Sequence, residues 1–272
     1  MPFFCDTHAH LYLSEFDNDR AAMVQRAIAA GVERILLPSI DRDHQASLET
    51  LCAQFPDYCF PMIGLHPCSV KANWEAETQF IAQILAQHAD QYYAIGETGL
   101  DFYWDLTYRD EQAQSLVQHI EWAKTYDLPI VLHCRKSHSE VFDLICQHYD
   151  ERLSGVFHCF SGDENDAAAI AHRLPNFYIG IGGTVTHKKG NQAAVVAATD
   201  LAHIVLETDA PYLTPEPFRS MRDPNAKRNE SAHIPLIAQK IADIKSISLD
   251  EVATTTTRNA MRLFKRIPRN EV

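Results

Sequence analysis

Near the start of the chain stands Asp6-Thr7-His8-Ala9-His10, with two imidazoles one residue apart. Side chains alternate along an extended strand, so His8 and His10 face the same way and their nitrogens can converge on one point. Glu97, His133, His158 and Asp209 each stand at the end of another short apolar run. Four imidazoles and two carboxylates make a mixed nitrogen and oxygen donor set suited to Zn²⁺, Mn²⁺ or Mg²⁺. Six protein ligands exceed what one open catalytic ion uses, so the expectation is two divalent ions sharing a carboxylate. An isolated histidine on a strand is usually structural; the joint pattern is what points to a metal centre. Such a centre serves hydrolysis: a divalent ion lowers the pKa of water from about 15.7 toward about 7, and a second ion stabilises the leaving oxygen.

Other residues are placed around this set. Asp6 and Glu207 lie one pleat deeper on the same faces as His8 and Asp209, as hydrogen-bond partners behind the ligands; for Glu207 a carboxylate satisfied by backbone is the equal alternative. His66, in Gly64-Leu65-His66-Pro67, is either a substrate contact or a loop histidine. Phe102, Tyr103 and Trp104 either stack on an exposed base or pack their loop. Cys5, Cys134 and Cys159 have the wrong spacing for the ligand face and are expected to face helices. His44, His88, His119, His138, His148, His172 and His203 read as ordinary residues.

These candidates must be held by elements. Strand-like runs occupy 3–8, 34–40, 58–65, 92–96, 129–134, 155–160, 177–182 and 203–208. Helical spacing intervenes throughout, as in Ala113, Leu116, Val117, Ile120 and Ala123 on one face. Asp17 and Asn18 precede the first helix and Gly31 stops it, while Ser248 with Glu251 has the capping-box spacing for the last. No Pro/Gly/Ser-rich linker interrupts the alternation. Eight βα repeats without a glycine-rich phosphate fingerprint after the first strand predict an α/β fold, a single-domain (β/α)8 TIM barrel spanning 1–272. The six candidates then fall at the carboxyl ends of strands one, four, five, six and eight, where barrel active sites form. The 272 residues are 46% hydrophobic and 22% charged, which excludes disordered and fibrous classes. No apolar run reaches about 18 residues and no basic-then-apolar leader begins the chain, so a cytoplasmic protein with no membrane association is expected. Seven scattered cysteines with no C-x-x-C pair exclude a disulfide framework and a thiolate zinc knuckle.

At these residues the sequence resembles the TatD-like metal-dependent deoxyribonucleases, a branch of the amidohydrolase-type barrels, over nearly the whole chain. The matching blocks are Asp6-Thr7-His8-Ala9-His10-Leu11, Gly64-Leu65-His66-Pro67, Ile95-Gly96-Glu97-Thr98-Gly99-Leu100-Asp101, His158-Cys159-Phe160-Ser161-Gly162, Glu207-Thr208-Asp209-Ala210-Pro211-Tyr212-Leu213 and Asn259-Ala260-Met261-Arg262-Leu263-Phe264. The resemblance implies that His8, His10 and Asp209 hold one ion, His133 and His158 the other, and that Glu97 bridges them. It implies phosphodiester hydrolysis, with Asp209 both a ligand and the acceptor of a proton from the attacking water. The chain departs from the family between Leu213 and Ile234, where a short Pro-x-Arg-Gly-Lys-x-Asn-x-Pro segment is usual. Here Arg219 and Lys227-Arg228-Asn229 are recognisable, the interior is longer, and Ser231 stands where proline is usual.

Substrate is less constrained than metal. With 24 Lys and Arg against 36 Asp and Glu, the net charge is −12, so a polyanion needs a local basic patch. Arg135, Lys136, Lys188, Lys189, Arg219, Arg222, Lys227 and Arg228 follow strands five, seven and eight and are expected at the mouth. His66, Arg135, Arg219 and Arg228 are the expected substrate contacts, and single-stranded DNA the expected substrate of an exonuclease-type reaction, with no obligate protein partner. A small-molecule amidohydrolase or lactonase, or an aminoacyl-tRNA deacylase, is the alternative use of the same centre.

Overall fold

The computed structural model describes residues 3–223 and 227–268. Its strands are β1 (Phe4–Asp6), β2 (Val32–Leu37), β3 (Cys59–Pro61), β4 (Ile95–Asp101), β5 (Ile130–Arg135), β6 (Gly155–Phe157), β7 (Phe177–Ile181) and β8 (Ile204–Leu206). The helices are α1 (Arg20–Ala29), α2 (Arg42–Gln54), α3 (Trp74–His88), α4 (Arg109–Tyr126), α5 (His138–His148), α6 (Glu164–Arg173), α7 (Gln192–Ala198), α8 (Ile234–Lys245) and α9 (Leu249–Leu263). All ladders are parallel, in the orders β1-β2-β3 and β4 through β8. Backbone bonds join the two sheets at both seams. At one, Gly96 donates to Ile63 O (2.8 Å) and Tyr93 to Pro61 O (3.0 Å); at the other, Thr7 donates to Leu206 O (2.9 Å), Asp209 to His8 O (2.8 Å) and His10 to Ala210 O (2.7 Å). The result is the eight-stranded α/β barrel that the alternation predicts.

The strand ladders are shorter than the apolar runs. The run expected over 58–65 yields only Cys59–Pro61, with Ile63 bridging singly to Ile95. His8, His10, His158 and Asp209 all lie just past their ladders. Inside the ring, Leu36, Phe60, Val131, Val156 and Val205 form one buried layer, closed below by Ala260, Leu263 and Phe264 at the end of α9. Two residues further along their strands are His133, His158 and Glu207, so strand alternation sets the ligand level directly above this apolar floor.

Cys5 belongs to the same inner layer, contrary to the expectation that it faces helices. The β1 ladder ends at Asp6, so regular alternation does not carry from Cys5 to His8. Cys134 packs toward the helices as expected and also edges the mouth cavity. Cys159 lines that cavity because its backbone is left-handed (φ 44°), which ends the strand alternation at His158.

Helix limits follow local chemistry. Gly31 (φ +83°) stops α1, but Asp19 does not cap it, because its carboxylate is engaged by Arg26 and Arg228. Ser248 accepts the Glu251 N–H (3.1 Å) at the start of α9, the N-cap half of the expected box.

Candidate metal centre

Glu97 is not at the end of its strand but third in β4, at a break in register. Ile95 pairs with Ile130 and Thr98 with Leu132, so β4 spends one more residue than β5 over this stretch. Such a bulge re-aims a side chain. It is pinned from the segment just after β2, since Ser39 donates to Gly96 O and Glu97 to Ser39 O (both 3.1 Å). Gly96 is required there: at φ +157° an added Cβ would lie 2.7 Å from Val131 Cβ.

The bulge delivers the Glu97 carboxylate to the centre of the ring, where its oxygens divide the imidazoles between them. Oε2 lies 3.1 Å from His8 Nε2 and 3.4 Å from His10 Nε2. Oε1 lies 2.7 Å from His133 Nδ1, 2.8 Å from His158 Nε2 and 3.5 Å from His66 Nε2. Asp209 Oδ1 joins the first group, 3.7 Å from His8 Nε2 and 3.5 Å from His10 Nε2. His8 and His158 stack in parallel with centroids 3.8 Å apart. All six expected residues therefore meet at one place.

Hydrogen bonding alone does not satisfy this set. His8 Nε2 faces His10 Nε2 at 3.3 Å as well as two carboxylates, and a neutral ring has at most one proton there to share. A divalent cation accepts all of these lone pairs, so the donors fit metal ions. Three overlapping groups have the required proximity: His8, His158 and Asp209; His8, His10 and Glu97; and His66, Glu97 and His133. Charge follows the same geometry. Although burial opposes it, the surrounding imidazoles hold Glu97 well below the usual carboxylate range. Burial, then the neighbouring His158, lowers His8 to about 4. His10 goes the other way, to about 9, as Asp209 and Glu97 outweigh burial.

Outer contacts orient the rings. Tyr12 donates to Pro38 O (2.6 Å), so its oxygen accepts from His10 Nδ1 (3.0 Å), which keeps Nε2, the nitrogen an ion would take on displacing its proton, aimed inward. Asp101 Oδ2 takes His133 Nε2 (2.9 Å), and its Oδ1 accepts the N–H groups of Tyr103 (2.9 Å) and Trp104 (3.1 Å). Neither Tyr12 nor Asp101 is among the sequence candidates. For Tyr12 a signal existed, since it continues the His8, His10 alternation by one more pleat. His66 Nδ1 accepts the Cys68 N–H (3.0 Å), so the neutral ring carries its proton on Nε2, toward Glu97.

Glu207 faces His158 Nδ1 at 3.7 Å and accepts the Cys159 N–H. It lies across Gly180, whose added Cβ would be 2.2 Å from its carboxylate. Burial, then Asp209, pushes Glu207 well above its usual range. Asp6 does not touch the ligand rings. It accepts the Thr208 N–H (3.0 Å) and hydroxyl (2.6 Å) and the His8 N–H (3.3 Å), which fixes the β1/β8 seam from outside.

A cavity of about 860 Å³ opens above the centre. Of the eight cations expected at the mouth, Arg135 and Lys189 line it. Arg228 does not reach it: its guanidinium forms a two-pronged pair with Asp19 (both 2.8 Å) over the Phe16 ring. Arg219 is exposed on a short 3-10 turn outside the lining. Part of the unusual loop after β8, 224–226, lies outside the described residues.

Fold and donor set together define a barrel of the metal-dependent hydrolase kind. A family profile described as TatD related DNase matches residues 5–265, and the chain belongs to that family. It is 34% identical over 261 residues to the uncharacterized metal-dependent hydrolase YabD of Bacillus subtilis (strain 168), covering 96% of this chain and 98% of YabD. It is 34% identical over 272 residues to the 3'-5' ssDNA/RNA exonuclease TatD of Dickeya dadantii (strain 3937), with 98% and 99% covered. The crystal structure of YjjV, a TatD homolog from Escherichia coli K12, superposes with a TM-score of 0.87 at 28% identity, covering 96% of this chain and 98% of that one.

Proposed function

We propose that the chain, as one hydrolase domain over 1–272, is a two-ion phosphodiesterase that removes nucleotides from single-stranded DNA. The observation that carries this reading is Glu97, whose two oxygens each face a separate group of imidazoles, as a bridging carboxylate would. His8, His10 and Asp209 would hold one ion and His133 and His158 the other. When bound, the ions supply Lewis-acid polarisation of a phosphoryl oxygen and hydroxide from water at neutral pH.

The residues then have distinct tasks. Asp209 is held below its usual range by its bond to His10, despite burial, so it is ionised and ready to accept a proton from the attacking water. His66 presents its Nε2–H to a phosphate oxygen. Tyr12 and Asp101 keep His10 Nε2 and His133 Nδ1 aimed inward. Arg135 and Lys189 draw the substrate backbone into the cavity. The basic loop residues outside the lining, Arg219 among them, add only longer-range attraction. The cytoplasm suits seven cysteines with no disulfide among the described residues. No described helix is long and apolar enough to cross a membrane.

The test is a chelator-stripped preparation reconstituted with Mg²⁺, Mn²⁺ or Zn²⁺ and offered labelled single-stranded DNA beside lactones, amides and an aminoacyl ester. Two equivalents of ion and oligonucleotide turnover that falls steeply with ionic strength are expected. Turnover of the small molecules alone would overturn the nuclease, and a single equivalent would overturn the bridge.

A further inference from the structure

The loop after β4 carries an aromatic pair that the hydrolytic centre does not use. Tyr103 and Trp104 are 53% and 67% exposed. Their neighbour Phe102 behaves differently, half-buried under the Arg109 guanidinium at 4.4 Å, so Phe102 packs the loop and the other two do not. Tyr103 and Trp104 meet edge to face with centroids 4.9 Å apart. Arg135 lies over both, 4.2 Å from the Tyr103 ring and 5.2 Å from Trp104. Exposed aromatic area of this size costs solvation free energy, and here it is concentrated beside a cation at the rim of the substrate cavity.

Two connections tie the pair to the reacting centre. Trp104 and Arg135 line the main cavity together with Glu97 and His133. Trp104 also walls a side chamber of about 410 Å³, lined further by Lys71, Tyr108 and Gln112. The indole thus borders both spaces. Its backbone is held by Asp101 Oδ1, and the other oxygen of that carboxylate holds His133. A group seated on Trp104 is one carboxylate away from a candidate ligand of the centre.

From this we infer that Tyr103, Trp104 and Arg135 form a stacking shelf for one unpaired nucleobase next to the phosphodiester being cleaved. A planar base takes the face of the indole, and Arg135 serves its adjoining phosphate. A base inside a duplex is already stacked and paired on both sides, so the shelf selects unpaired strands. This rests on the nucleic-acid reading above and adds to it the element that distinguishes single from double strands.

The experiment has an arm that needs no turnover. The chain has three tryptophans; Trp122 is buried and Trp74 is partly buried, so Trp104 is the accessible reporter. Titration with deoxyadenosine monophosphate should quench the emission of the ion-loaded wild type saturably, and the saturable component should vanish in Trp104→Phe. With a single-stranded oligonucleotide, Trp104→Ala should raise KM about tenfold, the loss of one stacked base, and Trp104→Phe should recover most of it. The ratio of KM for an abasic strand to KM for the base-bearing strand should collapse toward one in Trp104→Ala. Absence of quenching by the nucleotide, or an equal change on abasic and base-bearing strands, overturns the shelf. Saturable Trp104 quenching without oligonucleotide turnover by the wild type supports the shelf and overturns the nuclease reading instead.

Discussion

Replacing Asp101 by asparagine would test how the chain prepares His133 for an ion. Asp101 is buried, and its bonds to His133 and to the Tyr103 and Trp104 N–H groups hold it below the usual carboxylate range against the effect of burial. At neutral pH it is therefore an acceptor only; with Glu97 it outweighs burial and raises His133 to about 9, so when an ion displaces one proton the other stays on Nε2 and Nδ1, 2.7 Å from Glu97 Oε1, is the nitrogen freed. Asparagine keeps one carbonyl oxygen for the two N–H groups, and its NH₂ then points at His133 Nε2. That amide donates, so the ring proton moves to Nδ1 and occupies the lone pair an ion needs. Removing such an outer partner typically weakens metal affinity about 10- to 100-fold, or about 1.4 to 2.7 kcal/mol. The backbone bonds survive, so the unfolding midpoint of the ion-free protein should change by only a few degrees, equivalent to about 1 kcal/mol. Competition against a chromophoric chelator measures the affinity, and the ¹⁵N shifts of His133 report the tautomer. Ion binding in Asp101→Asn as tight as in the wild type, with the proton still on Nε2, would refute the argument.

Three further outcomes follow from the same geometry. Asp209→Asn should retain the fold and some bound metal but lose nearly all oligonucleotide turnover, and near-normal kcat would remove Asp209 from its assigned role. His119 is fully buried, donates from Nδ1 to Ser115 O (2.7 Å), accepts the Leu65 N–H at Nε2 (3.0 Å), and is lowered by burial to about 4. Above pH 6.5 it is neutral in both folded and unfolded chains and contributes no pH dependence. Between 6.5 and about 4 the unfolded chain binds the extra proton, so stability falls with decreasing pH by up to about 1.4 kcal/mol per unit, about 3 kcal/mol in all. Urea unfolding of His119→Gln across that range should therefore show a shallower acid loss than the wild type, and identical slopes would discount the burial of a neutral ring. Gly96→Ala adds a Cβ 2.7 Å from Val131 Cβ at φ +157° and should cost about 1 to 3 kcal/mol in chemical denaturation; an unchanged midpoint would show that the bulge relaxes freely.

The eight-element alternation was legible because burial writes itself into apolar runs, and His8, His10, His133 and His158 were legible because they follow those runs. What stayed hidden depends on pairing. The bulge at Glu97 exists only relative to Ile130 and Leu132 on β5, so the strand's own sequence places Glu97 at an end rather than within. Asp101 stands inside a recognised block, yet its task comes from His133, 32 residues away and on the next strand. Loop cations look alike in sequence; that Asp19 captures Arg228 while Arg135 remains over Tyr103 is decided by tertiary packing. Parity failed at Cys5 and Cys159 for backbone reasons, a strand that ends at Asp6 before the His8 pair and a left-handed residue, neither of which an alternation pattern encodes.

Charge raises the last question, because a chain of net charge −12 must admit a polyanion to a floor that contains ionised Glu97, Asp209 and Asp101. Without ions, Arg135 and Lys189 and the imidazoliums of His10 and His133, both raised to about 9, together roughly balance these three carboxylates. Two divalent ions that displace the His10 and His133 protons would bring a net two further positive charges within a screening length of about 8 to 10 Å. Nucleic-acid binding should therefore follow ion loading rather than precede it. Even in water a pair of opposite unit charges about 4 Å apart gains about 1 kcal/mol, so losing two such contacts should weaken binding by more than tenfold. Fluorescence anisotropy with a labelled single strand and the turnover-deficient Asp209→Asn variant, with Mg²⁺ or after chelation, measures this directly. Equal affinity in both conditions would place the electrostatic attraction in the surface loops, and would remove the ions from substrate capture.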